Sequence, residues 1–338
     1  MINEGFRRLV DAGVIRRKVV DDVALMQRLA NGEATAEHHA RLQREGEYLH
    51  GAFYLGSPDF YQWLRTMTDE QRRAIGMKRV SEVNELYGGQ ETLERLQRRD
   101  ARFFNTCMMA TALGAAVSDA LGDGRVVSGV GGQYNFVAMA HALPDARSIL
   151  MLRASREAGG HVRSSIPWNY PHTTIPRHLR DLYVTEYGIA DVRGRADEDC
   201  VIAMAAIADA RFQDELIATA KNNGKLRADF VVPAEARRNT PEYLRAALSP
   251  FRADGTLPDY PLGSDFTAVE QRLVSALGWL KTNTQTPGGK LRMLLRTLTV
   301  GDISDAEAAA RMGLGETHGA GEWIESRLLS IALRATRR

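Results

Sequence analysis

Ser128-Gly129-Val130-Gly131-Gly132-Gln133-Tyr134-Asn135-Phe136, taken with Tyr183-Val184-Thr185-Glu186-Tyr187-Gly188 further on, decides the reading of this chain. The glycines at 129, 131 and 132 permit backbone angles and close approaches that a Cβ forbids. Such a turn can aim bare N–H groups at a ligand oxygen. Gln133 adds a side-chain amide, and an apolar segment follows at once. Most glycine turns are only tight turns. The specificity here comes from the two motifs standing in this order, each in its own flanking sequence.

Working outward, residues 101–106, 125–128, 147–153 and 182–186 are short and rich in β-branched or aromatic side chains, and they read as strands. Tyr48 to Leu55 reads as a further buried strand. Helical segments at 90–99, 133–142, 198–208 and 211–222 separate or flank these strands. Strands alternating with helices predict an α/β sheet with covered faces. Leu9 to Ile15 reads as a helix end passing into a strand, with Gly13 as the break. Residues 20–47 are charged and helix-prone, a solvated insertion. A helix starts at Ser57-Pro58, and another at Thr68, where Gln71 completes a capping box.

The character changes near residue 230. Asn239-Thr240-Pro241-Glu242 is a helix start, and Pro250, Pro258 and Pro261 then break the chain. Helices are expected at 265–282 and 288–298. Ser304 and Glu307 form a capping box with Gly313 beyond the helix, and a last amphipathic helix holds Trp323, Ile324, Leu328, Ile331 and Ala332. Residues 231–338 therefore read as a mostly helical extension of unassigned role.

Bulk properties exclude several classes. The 338 residues suffice for one large or two ordinary domains. A formal charge of +2 gives no nucleic-acid or anionic-membrane footprint. No stretch approaches the roughly 18 apolar residues of a membrane span, and the first residues carry no signal-peptide pattern. Cys107 and Cys200 make neither a disulfide framework nor a metal cluster, and the histidines show no metal-ligand spacing. A cytoplasmic protein without metal or permanently bound cofactor is the expectation.

The motifs resemble the C-terminal domain of the acetyl-CoA hydrolase/CoA-transferase family, in order, through residues 1–222. Gly51-Ala52-Phe53-Tyr54-Leu55-Gly56-Ser57 is similar to its Phe-x-x-Gly-Ser segment, and Glu82-Val83-Asn84-Glu85 to its Tyr-Val-Asn-Asp. Phe104-Asn105-Thr106 resembles the strand carrying Ser-Ile-Asn. Ser128 to Phe136 resembles Ser-Gly-x-Gly-Gly-Gln-x-Asp-Phe, with Asn135 in place of Asp. Tyr183 to Gly194 resembles Val-Val-Thr-Glu-Tyr-Gly-x-Ala-x-Leu-x-Gly, and Ile207 to Phe212 stands for Ile-Ala-His-Pro-x-Phe.

The resemblance implies a CoA-transferase-like (NagB/RpiA-like) mixed sheet with flanking helices over residues 1–230. It implies CoA transfer between an acyl-CoA such as acetyl-CoA and a carboxylate, or acyl-CoA hydrolysis, through a glutamyl-CoA intermediate. Coenzyme A is then a substrate, the partners are small molecules, and the full-length protein is a homo-oligomer, a dimer. A weakly nucleophilic carboxylate needs a positioned thioester and donors for the developing oxyanion. By this likeness Gly132 supplies the donor, Asn105 orients the glutamate or its adduct, and Glu186 is an orienting carboxylate. Gly129, Gly131 and Gln133 would bind substrate. Setting Gly5 on the family glycine puts Glu4 on the family Asp, so the nucleophile falls just before Met1 and the domain lacks its leading strand. The alternative reading is an inactive remnant or partner subunit of a CoA-transferase.

Weaker candidates stand beside these. Glu82 follows Ser81 as the nucleophile follows Ser or Thr, although a surface or capping role suits it better. Glu4 suits a helix N-terminus. Cys107 lies in an apolar run and reads as core. Arg163, Arg177 and Arg180 suit phosphate geometry, but read better as solvated charges. Gly-Gly-Gln also occurs in peptide-release factors, where it needs a mobile polar loop on an RNA-binding protein. The apolar Phe136-Val137-Ala138-Met139 and the near-neutral charge oppose that reading.

Overall fold

The computed structural model describes all residues other than 159, 302, 317, 318, 337 and 338. Contacts divide the chain into two units, Met1–Gly56 with Phe60–Pro261 and Ser57–Asp59 with Leu262–Arg338.

The chain opens with α1 (Glu4–Asp11), α2 (Val23–Asn31), α3 (Ala36–Glu45), β1 (Leu49–Gly51), α4 (Pro58–Thr66), α5 (Asp69–Arg73), β2 (Ile75–Met77), α6 (Val80–Asn84) and α7 (Glu91–Gln97). The central elements follow: β3 (Arg102–Thr106), β4 (Met109–Ala110), β5 (Ala116–Val117), α8 (Gln133–Ala142), β6 (Arg147–Met151), β7 (Ser155–Ala158), β8 (His161–Ser164), β9 (Leu182–Thr185) and β10 (Gly188–Asp191). Next come α9 (Asp197–Ala206), α10 (Ala210–Asn222) and α11 (Pro241–Ala253), and the second unit holds α12 (Ala268–Asn283), α13 (Pro287–Thr297), α14 (Ala306–Arg311) and α15 (Ala320–Ala335).

The main sheet has the order β10-β9-β6-β3, with β3, β6 and β9 parallel and β10 antiparallel. Register puts Asn105, Leu150 and Tyr183 in one row, and Phe104, Ile149 and Leu182 in the next. Successive residues alternate faces. The first row looks into a core where Val137 of α8, Met204 of α9 and Ile217 of α10 join Leu150 and Tyr183. Fully burying an aliphatic side chain such as Met204 contributes about 1.5–3 kcal/mol. The Tyr183 hydroxyl donates to the Gly114 carbonyl at 3.0 Å, so its burial leaves no orphaned polar atom.

The opposite face carries Phe104 (64% exposed), Met151 (36%) and Ile189 (68%). Both faces were expected to be covered, and this one is covered only in part: Ile149 in its middle strand is buried, while Phe104 and Ile189 on the flanking strands are exposed. The topology gives the reason. β3, β6 and β9 are laid down side by side in one direction, and right-handed crossovers then pass on the same side of the sheet. α8 lies on that side and leaves the other partly open.

Other expectations fare unevenly. The capping boxes at Thr68/Gln71 and the N-cap at Thr240 with Pro241 behind it are present, and Gly313 has φ +72° beyond α14. Residues 125–128 form no strand. Val126 makes an isolated bridge to Ala120 across a turn, and Val126 and Val127 are exposed. Ile15 enters no strand; the chain turns at Gly13 (φ +67°) and pairs only at Val19. Pro250 lies inside α11 instead of breaking it. The cap of α14 is Asp305, accepting from Ala308 N, whereas Glu307 pairs with Arg272. Leu226, Phe230, Val232 and Ala236 join the core of the first unit, which runs to Pro261. In the second unit α12, α14 and α15 supply the core residues Leu273, Ala276, Ala308, Leu329 and Ala332.

Candidate active site

The carboxyl ends of β3, β6 and β9 lie along one edge of the sheet, where open α/β sheets place their ligands. Asn105 is the penultimate residue of β3 and sits on the helix-covered face. Its Nδ2 is buried without a hydrogen-bond partner among the described residues. Gln133, the first residue of α8, is 6% exposed, and its Nε2 donates to the Thr106 carbonyl at 2.7 Å. That bond ties the helix start to the end of β3. The Gln133 Oε1 is buried and has no partner either. A buried donor and a buried acceptor thus stand unsatisfied at the same strand end, where each unmet group costs about 1–3 kcal/mol.

The glycine turn leads into this place. Gly131 has φ +60° and open space around it, a conformation glycine adopts without strain. Gly132 caps α8 with φ −86° and is needed for a different reason. A Cβ there would stand 3.0 Å from Asn84 Nδ2 and 3.1 Å from Phe136 Cε2. Its N–H makes no hydrogen bond among the described residues, as befits the orphan donors of a helix start. Gly129 is exposed and has nothing near it.

Glu186 follows β9 and is exposed, but its carboxylate is anchored: Oε2 accepts from Ala154 N at 2.9 Å, just beyond β6. It leans toward the middle strand of the parallel trio. β3 and β9 are two strand spacings apart, about 10 Å, with Asn105 and Gln133 at the end of the first and Glu186 just past the end of the second. Beside Glu186, burial next to Asp209 pushes the Tyr187 hydroxyl up to about 12, so it stays protonated at neutral pH. Asp209 is fully buried, and Arg211 holds it ionised against the opposing effect of burial.

Asn84 belongs to this place and was absent from the sequence-level site. It ends α6, and its amide lies against the Gly132 backbone. The signal was its position in Val83-Asn84, a motif whose spatial partner no spacing rule supplies.

Other candidates go elsewhere. Burial pushes the Cys107 thiol up to about 12, which leaves it an inert thiol at neutral pH. Glu82 pairs with Arg79 at 2.7 Å. Glu4 stands in the first turn of α1, paired with Arg7 and Arg8. Arg180 donates to the carbonyls of Leu113 and Arg195, which makes it a structural strap, and Arg177 pairs with Asp197. Arg163 lies exposed on β8. Among the described residues no group of three potential metal ligands converges, and no helix is long and apolar enough to cross a membrane.

A glycine turn feeding a helix start, with polar groups at the carboxyl ends of parallel strands, is the place where open α/β domains bind ligands. Residues 56–220 match the acetyl-CoA hydrolase/transferase C-terminal domain. The chain is 33% identical over 120 residues to a probable butyrate:acetyl-CoA coenzyme A-transferase of Syntrophomonas wolfei, covering 35% of this chain and 27% of that protein. It is 29% identical over 115 residues to a 4-hydroxybutyrate coenzyme A transferase of Clostridium kluyveri, covering 33% and 26%. The matched stretch thus spans about a quarter of these relatives' length. Among solved structures, RipA from Yersinia pestis shares 25% identity at a TM-score of 0.49, over 66% of this chain and 43% of that one. The 4-hydroxybutyrate CoA-transferase from Porphyromonas gingivalis shares 18% at 0.44, over 66% and 44%.

Proposed function

We propose that this chain takes part in moving coenzyme A between an acyl-CoA and a small carboxylate, on a CoA-transferase-like (NagB/RpiA-like) sheet. The observation that carries the reading is the unsatisfied pair Asn105 Nδ2 and Gln133 Oε1 beside the unbonded Gly132 N–H. A bound acyl-CoA supplies what these atoms lack. Its carbonyl oxygen accepts hydrogen bonds, and its amides donate them.

In this reading a glutamate carboxylate attacks the thioester carbonyl carbon. The carbonyl oxygen gains negative charge, which the Gly132 N–H stabilises; a donor of this kind is typically worth about 3 kcal/mol of barrier. The C–S bond then breaks, CoA leaves as thiolate, and an acyl-glutamyl anhydride remains. Return of the thiolate to the glutamyl carbonyl expels the free carboxylate and leaves glutamyl-CoA, which an acceptor carboxylate or water resolves. Asn105 would orient the glutamate or its adduct. Glu186, held by the Ala154 N–H, would fix the local charge rather than attack.

Acetyl-CoA turnover with acetate or butyrate as acceptor, followed by borohydride trapping of glutamyl-CoA, tests the reading. Turnover that survives Asn105→Ala and Gly132→Ala unchanged would remove it. The second reading, a partner subunit without turnover of its own, rests on the anchored state of Glu186. It predicts acetyl-CoA binding by this chain that Asn105→Ala weakens, with no glutamyl-CoA formed.

A further inference from the structure

We propose that α13 is a docking site for an acidic amphipathic helix of another protein. The helix sits in the second unit with Met293 and Thr297 buried beneath it. Its opposite side carries Leu291 (58% exposed), Leu294 (46%), Leu295 (57%) and Leu298 (71%). These are positions i, i+3, i+4 and i+7, an apolar stripe one helix face wide. A stripe of this kind normally packs on something.

Charge and shape say what kind of partner fits. Lys290, Arg292 and Arg296 border the stripe, and all three are exposed. None of them has a carboxylate partner among the described residues, and residues 287–298 contain no Asp or Glu. Two copies meeting on this patch would set cations against cations, so an isologous pair is disfavoured. The surface is shallowly contoured. Hollows of about 470 and 410 Å³ share Leu291 as a wall, one lined also by Arg292, Leu295 and Arg296 and the other by Lys290, Leu294 and Leu328. Paired hollows receive projecting side chains, the form of helix-in-groove recognition.

The probe is a labelled helical peptide with leucines at i, i+3, i+4 and i+7 and flanking glutamates, titrated onto the full chain by fluorescence anisotropy. Its lysine-flanked counterpart and vesicles of phosphatidylcholine with phosphatidylserine serve as comparisons. The acidic peptide should bind at least about tenfold more tightly than the basic one, and less tightly as salt rises. Arg292→Glu with Arg296→Glu should invert that preference, and Leu291→Asp with Leu295→Asp should abolish binding of either peptide, with thermal melts unchanged because all four side chains are exposed. Equal affinity for both peptides overturns the proposal, as does binding untouched by these substitutions. Attachment to the anionic vesicles through Leu291 and Leu295, with no peptide binding, overturns it in favour of a membrane surface.

Discussion

Gln133→Met separates a ligand-facing glutamine from a structural one, because the chain holds two buried glutamines with the same defect. Gln133 and Gln213 each leave Oε1 buried and unpartnered. Methionine fills nearly the same volume without the amide. At Gln133 the change removes a single hydrogen bond, Nε2 to the Thr106 carbonyl, worth about 1 kcal/mol. Thr106 is exposed, so its carbonyl can turn to water. At Gln213 two Nε2 protons are shared among the carbonyls of Ala205, Ala208 and Ala236, so the change removes about 2 kcal/mol. Relief of the stranded Oε1 returns about 1–3 kcal/mol in both cases and cancels from the comparison. Gln133→Met should therefore be neutral or slightly stabilising, and Gln213→Met less stable than it by about 1 kcal/mol. Urea unfolding would show this as a midpoint gap of about 0.3 M at a slope near 3 kcal/mol/M. Acetyl-CoA affinity measured by calorimetry should fall about tenfold in Gln133→Met, the worth of one ligand hydrogen bond, and stay unchanged in Gln213→Met. Equal destabilisation of the two variants, with affinity intact in both, would refute the assignment of Gln133 to the site.

The glycine turn divides into two roles. Gly131→Ala should lose about 1 kcal/mol of stability because φ is +60°, while Gly132→Ala should melt within about 1 kcal/mol of the parent yet lose acyl-CoA turnover or binding about a hundredfold, because the methyl keeps the N–H but displaces the group it faces; thermal melts beside turnover or calorimetry decide, and the reverse pattern sinks the assignment. Burial, helped by Lys78 and opposed by Glu47, lowers the pKa of His50, and burial with Arg193 lowers that of His141. The unfolded chain then binds more protons, so stability is whole above about pH 6.5 and falls as pH drops through the window below it. Urea midpoints at pH 7.5 and 5.5 check this, and His50→Gln with His141→Gln should flatten the slope; a rise in stability on acidification contradicts it. Asp181 is 3% exposed and accepts from Ser148 N and Arg147 Nε, so Asp181→Ala should cost about 2–3 kcal/mol by leaving the buried Ser148 N–H unbonded and Arg147 with Asp191 alone, read as a lowered unfolding midpoint. Phe104→Ser with Ile189→Ser should reduce self-association seen by sedimentation at rising concentration, since both side chains stand exposed on the partly covered sheet face; unchanged association would place the sticky surface elsewhere.

Local signals in the sequence fared as local physics allows. The strands at 102–106, 147–151 and 182–185 and the helix from Gln133 are set by side-chain type and by the cap at Gly132, and they stand where pattern reading puts them. The strand expected at 125–128 fails because β-branching marks only a preference for extended backbone, and Val126 finds a single bridging neighbour. Pro250 fails as a breaker because a proline near the end of a helix forfeits only one hydrogen bond, and α11 runs on to Ala253. The site divides along the same line. Asn105, Gly132, Gln133 and Glu186 each bear a motif, but that Gln133 reaches the Thr106 carbonyl and Glu186 the Ala154 amide depends on three parallel strands sharing one edge. Pairing order is a long-range property, and no spacing in one chain encodes it directly. Asn84 makes the point most sharply. Nothing in residues 80–84 announces that the amide ending α6 will lie against Gly132. Yet its Nδ2, 3.0 Å from where a Cβ at 132 would stand, leaves room for a side chain there only if Asn84 gives way. The glycine motif is therefore half a constraint, and its other half is written 48 positions earlier, between residues 84 and 132.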